Sequence, residues 1–230
     1  MARRLLVLLE TVFPGQEHRP RERAVLQVAA HLVERCGFVA EVVLWGGSSR
    51  LTKVPGPLAN CRLRRLEDMP SSNLMSTVDM AACATGFIRS LRSDAVLVST
   101  SMINSNMHLL AAAFAFLQPA HFIFGVTELE GSADGRFTCR RPASGCLLET
   151  TPELPVVLGV THCAGFSPYP MVPAPEVGPL PLPELGLELE LIQMRSALFP
   201  EPVSIIQQPD SRLTDLPTAV SWLTTDDVAD

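Results

Sequence analysis

Leu5 to Leu9 form an unbroken apolar run, bounded by Arg3-Arg4 on one side and Glu10 on the other. A strand without polar alternation has no solvent face, which predicts a central strand of a parallel sheet covered on both sides. From Arg21 to Arg35 the period changes, with Ala24, Val25, Val28, Ala29, Leu32 and Val33 recurring at helical spacing and Gly37 standing where a helix stops. Phe38 to Trp45 reads as the second strand of a β-α-β unit, ended by Gly46-Gly47-Ser48-Ser49. The unit recurs in a helix over Thr77–Leu91 and a short apolar strand over Ala95–Ser99. A polar loop from Thr100 to Asn106, a helix over Met107–Leu117 and strands over His121–Thr127, Phe137–Arg141 and Val156–Thr161 follow. Alternating strands and helices predict an α/β fold: a Rossmann-like, mostly parallel open sheet with helices on both faces. Ligands of such sheets sit at the carboxyl ends of the strands, here Glu10–Pro14, Trp45–Ser49 and Ser99–Asn106.

The prolines divide the chain. They crowd from Pro168 to Pro183, a stretch that can be neither helix nor central strand because each proline lacks a donor and fixes its own φ. Charge divides it in the same place: residues 1–175 hold fourteen acidic and sixteen basic side chains, residues 176–230 ten acidic against Arg195 and Arg212. The pattern predicts an α/β domain over 1–175 and an acidic, proline-rich arm over 176–230. That arm carries Leu180, Leu182, Leu185, Leu187, Leu189 and further apolar residues, so it is expected to cover a partner subunit's surface.

Composition removes several function classes. At 230 residues and 47% hydrophobic content the chain can hold a core without metal or disulfide. Its six cysteines are scattered with no C-x-x-C, which fits reduced thiols and a cytoplasmic location. Mean hydropathy is positive at +0.24. The longest apolar stretch, Leu109 to Leu117, is nevertheless far short of the about 20 residues a membrane helix needs, so no transmembrane segment is expected. The arginine clusters Arg19/Arg21/Arg23 and Arg62/Arg64/Arg65 lack interleaved aromatics, and with a pI near 5.4 they give no nucleic-acid platform. They read as a solvated face. Neither G-x-G-x-x-G nor G-x-x-x-x-G-K-[ST] occurs, which argues against a dinucleotide dehydrogenase or a P-loop enzyme.

No catalytic or metal-ligating constellation emerges. His18, His31, His108, His121 and His162 have no metal spacing, and His162-Cys163 has no third group to orient it as a nucleophile pair. Ser99, Ser101, Asn104, Ser105 and Asn106 are the candidate ligand residues. Small hydroxyl and amide groups between a strand end and a helix start can cap that helix or hold a phosphate with the same exposed amides.

The carboxyl half contains Thr127-Glu-Leu-Glu-Gly131, Gly135-Arg-Phe-Thr-Cys-Arg-Arg141, Gly145, Leu154-Pro-Val-Val-Leu-Gly-Val-Thr161, Tyr169 and Leu185-Gly-Leu187. In order and type these resemble the small, or beta, subunit of electron transfer flavoproteins: strand, charged turn, strand, glycine step, an L-P-x-V strand, a proline-tyrosine loop and a terminal arm. Glu184-Leu-Gly186 stands at that family's aspartate-leucine-glycine step. The resemblance implies a non-catalytic carrier paired with a larger alpha subunit that holds most of the FAD, and a dehydrogenase-type redox partner met through Tyr169, Met171, Val172 and Pro173. It places an AMP site at Leu8, at Arg19-Pro20-Arg21, at Trp45 and in the loop running from Ser99 through Ser101, Asn104, Ser105 and Asn106. That loop is shorter than the family's and lacks its glycine, which implies a weakened or lost AMP site. The family's lysine run after the recognition loop is replaced by Pro173-Ala-Pro-Glu-Val177. Two other readings fit the same superfold: an adenine-nucleotide-binding regulatory or hydrolytic protein, and a structural subunit that has lost its nucleotide.

Overall fold

A computed structural model describes residues 2–10, 20–45, 51–66, 69, 75–99, 107–132, 134–164 and 167–187. Its centre is a nine-stranded sheet in the order β11-β4-β2-β1-β5-β9-β6-β7-β8. Here β1 is Arg3–Glu10, β2 Phe38–Trp45, β4 Arg62–Leu66, β5 Ala95–Ser99, β6 His121–Gly131, β7 Phe137–Ala143, β8 Cys146–Thr150, β9 Val156–Ala164 and β11 Val177–Leu180. The seven strands from β11 to β6 are parallel, and β7 and β8 extend the sheet antiparallel. The mostly parallel α/β fold expected from the periodicity is the fold observed.

Alternation along β1 explains the two cores. Leu5, Val7 and Leu9 face helix α1 (Pro20–Cys36), packing with Val25, Val28, Ala29 and Leu32. Leu6 and Leu8 face the other way, onto α2 (Thr77–Leu91) and α3 (Met107–Leu117), among Met80, Phe87, Leu110 and Phe114. Five consecutive apolar residues are therefore all buried. Helix α2 starts on a capping box in which Ser76 Oγ accepts from the Asp79 amide at 3.2 Å and Asp79 Oδ2 accepts from the Ser76 amide at 3.2 Å. The expected strand over His121–Thr127 runs on to Gly131, with register breaks on both sides of Val126 beside Gly125 at φ +79°.

Two expectations are corrected. Arg62-Leu-Arg-Arg-Leu66 is not a solvated face but strand β4, and Arg64 is only 4% exposed. Its guanidinium donates from Nε to Pro179 O at 3.2 Å, lies 3.6 Å from Glu41 and pairs closely with Glu184. The boundary at residue 175 also fails. β11 pairs in parallel with β4, and Leu180, Leu182, Leu185 and Leu187 are buried in this chain's own core against α2 rather than held out for a partner. Pro179 is tolerated because β11 is the sheet edge. Residues 188–230 of the expected arm lie outside the described residues.

Among the described residues no helix is long and apolar enough to cross a membrane. They also contain no cluster of three or more histidine, cysteine, aspartate or glutamate residues able to hold a metal.

Candidate functional site

After β1 the chain lays β2 and then β4 on one side, and α2 carries it back across to β5 on the other side of β1. The strand order therefore reverses between β1 and β5, and the crevice outside their carboxyl ends is where an open α/β sheet places a ligand. Glu10 closes β1 and Ser99 closes β5; both are buried, at 2% and 5% exposure. α2 begins on the same rim because it follows β4, and it brings the fully buried Asp79. Met69, Met75, Met80 and Met107 lie with Trp45 in the apolar cluster on this face of the sheet.

Ser99 Oγ and Asp79 Oδ1 are buried and have no hydrogen-bond partner among the described residues. A buried hydroxyl or carboxylate oxygen left without a donor or acceptor is costly. Of the sequence-predicted residues, Ser99 is the one whose described side chain places a hydroxyl at the switch point without a hydrogen-bond partner among the described residues. The others divide. Leu8 and Trp45 put their side chains fully into the core, so at these positions a ligand would meet backbone alone. Pro20 and Arg21 open α1, with only their backbone described. Arg19, Ser101, Asn104, Ser105 and Asn106 lie outside the described residues, as does the Gly46–Ser49 turn. Measured against AMP, the described residues of the rim offer the Ser99 hydroxyl, which fits a phosphate or ribose oxygen, and two acidic side chains, Glu10 and Asp79, that fit hydroxyl or amino donors better than a phosphate.

The second candidate, Tyr169 to Pro173, lies away from this crevice on the α1 face. Met171–Pro173 forms β10, antiparallel to β3 (Lys53–Pro55), with Val172 opposite Val54. Gln27 on α1 clamps the backbone just before it: Oε1 accepts from the Tyr169 amide at 2.7 Å and Nε2 donates to Tyr169 O at 3.1 Å. Tyr169 and Val172 pack partly on the core, while Pro170 and Pro173 are exposed. The phenol reaches His31 Nδ1 at 3.2 Å, and His31 Nε2 accepts the Gly131 amide of β6 at 3.1 Å. Burial, together with a hydrogen bond to the Glu34 carboxylate, pushes the Tyr169 phenol up to about 12. Sequence reading missed Gln27, His31 and Gly131. Their one visible trace is two polar residues, four apart, on the otherwise apolar face of α1.

The chain matches none of the protein-family models and none of the curated proteins with which it was compared.

Proposed function

We propose that this chain is the small subunit of a heterodimeric, FAD-containing electron transfer flavoprotein, relaying electrons between a dehydrogenase-type donor and an acceptor. The observation that carries the reading is the assembly of residues 121–187. β6, the charged turn at Ser132–Arg136, β7, the Ser144-Gly145 turn, β8 and the Leu154-Pro-Val strand β9 follow in the order that the resemblance implies. The proline-tyrosine segment then docks on α1 and β3, and the Glu184-Leu-Gly186 step on α2 and β4.

A carrier of this kind needs proximity and shielding of its flavin, not an acid, a base or a nucleophile. The work assigned to this chain is accordingly structural: a sheet edge and loops to lie against the larger subunit, and Tyr169, Met171, Val172 and Pro173 to meet the redox partner. FAD is held mainly by the larger subunit and supplies the electron chemistry. An AMP would lie at the β1/β5 crevice with Ser99 Oγ as its hydrogen-bonding group; the acidic Glu10 and Asp79 weigh against a tightly held phosphate there.

The test is purification of the full chain, tagged at one end, from cells that make it at natural level. Co-purification of one larger protein at equal stoichiometry, in a yellow complex, supports the reading. A colourless, monodisperse monomer that binds and turns over adenine nucleotide by itself replaces it with the nucleotide-hydrolysing alternative.

A further inference from the structure

His31 sits where three parts of the fold meet. It is a buried side chain of α1, its Nε2 accepts the backbone N–H of Gly131 at the end of β6, and its Nδ1 lies 3.2 Å from the Tyr169 hydroxyl. An imidazole nitrogen that accepts from an amide carries no proton, so the ring is neutral with its hydrogen on Nδ1, which donates to the phenol oxygen. Glu34 and Arg35 act on the phenol in opposite senses, the carboxylate raising its pKa and the guanidinium lowering it. The bonds run from the Gly131 amide through His31 to the Tyr169 hydroxyl.

The approach of β6 is equally specific. A Cβ on Gly131 would lie 2.6 Å from Cys36 Sγ and 3.1 Å from Arg35 Cβ, so only glycine brings this amide onto the ring. Gln27 fixes the Tyr169 backbone through both its amide and its carbonyl, independently of His31. What His31 holds is therefore the Tyr169 ring and the end of β6, not the path of the chain.

We propose that His31 is a protonation-controlled latch on the Gly131 end of β6: neutral, it holds that end against α1, and protonated, it releases it while its Nδ1–H stays on the Tyr169 phenol. A proton on Nε2 sets an N–H against the N–H of Gly131, which turns an attraction into a clash of donors and leaves a backbone amide without its acceptor. The charged groups around the ring are Glu34 and Arg35 on α1 and Glu130 on β6, and the titratable group on the third element is Tyr169 itself. Burial first and Arg35 second lower the pKa of His31 below its ordinary 6.5, with Glu34 and Glu130 opposing. A lowered pKa means that the latched state is favoured at neutral pH and is lost as pH falls through that lowered value. The latch does not rest on the reading of Tyr169–Pro173 as the partner-facing segment.

Tyr169 is the chain's one tyrosine, so its ring signal reports the bond that stays. The full chain, labelled with carbon-13 in the tyrosine ring and with nitrogen-15, is titrated by NMR from pH 8 to pH 5 without any partner. The latch predicts that the Gly131 amide and the His31 imidazole shift together, with one midpoint below 6.5, and that Gly131 amide exchange, corrected for its intrinsic rate, rises roughly tenfold while the Tyr169 ring stays in place. In His31→Gln, which keeps a hydrogen-bonding side chain and loses the titration, the amide does not respond. A Gly131 amide that stays unchanged while His31 titrates, or that responds equally in His31→Gln, overturns the latch. The latch is read with no partner present, so its failure leaves the docking assignment standing, and failure to find a partner leaves the latch standing.

Discussion

Replacing Gly86 by alanine tests whether the residues just beyond 175 belong to this chain's own fold. Gly86 lies on the buried face of α2, and a Cβ built on it falls 2.5 Å from Leu185 O and 3.0 Å from Leu185 Cβ. The first of these atoms is backbone, so the clash cannot be relieved by turning a side chain. The turn over Leu182–Leu185 must lift, and it is tied down by Ser90 Oγ donating to Glu184 O at 2.6 Å and by the burial of Leu182 and Leu185. Overpacking of this kind costs about 1–3 kcal/mol, and complete undocking of the two leucines sets an upper limit of roughly 3–5 kcal/mol. Alanine repays about 1 kcal/mol through its helix propensity. The net expectation is destabilisation by up to about 2 kcal/mol, read in urea unfolding or as a Tm lowered by up to roughly 8 °C. Without Leu185 against α2 the same substitution would stabilise by about 1 kcal/mol. The sign decides: a Gly86→Ala protein more stable than the parent refutes the docked turn.

Arg64→Met should cost about 2–3 kcal/mol, because it strands the half-buried Glu41 carboxylate, and adding Glu41→Gln should recover part of that loss in denaturant unfolding. Gly131→Ala should cost about 1–3 kcal/mol by forcing β6 off Cys36 and Arg35, and a parent-like midpoint would contradict the close approach. The Tyr169 phenol should ionise near 12 in the folded chain and near about 10 when unfolded, followed by ultraviolet absorbance. Because the folded value is the higher, this phenol contributes stability below about pH 10 that is lost as pH rises through 12, and equal midpoints in the two states would contradict its hydrogen bonding.

What the sequence disclosed depended on how local each cause was. β1 and β5 are apolar runs whose burial on both faces is written in consecutive residues, β2 and β9 are largely apolar runs, and α1 to α3 show their period within a dozen positions. β4 stayed hidden because its middle residue is an arginine, whose burial is compensated by Glu41 and Glu184 far along the chain. β11 and the turn after it stayed hidden because prolines and acidic residues signal an arm, while the notch that receives Leu185 is a missing Cβ on α2 about a hundred residues earlier. The site divides in the same way. Ser99 follows from its place at the end of an apolar strand, whereas His31 gains its meaning from Gly131 and Tyr169, 100 and 138 residues away.

The central claim is that this chain shares a flavin with a larger subunit, and the most direct measurement is the cofactor content of the native complex. The purified complex is denatured, and the released small molecules are identified and counted by mass spectrometry. The account predicts one FAD per pair of unlike chains, with AMP below stoichiometric amounts given the acidic rim at Glu10 and Asp79. A chain that comes with its partner but without FAD, or one that releases adenine nucleotide alone, would contradict it.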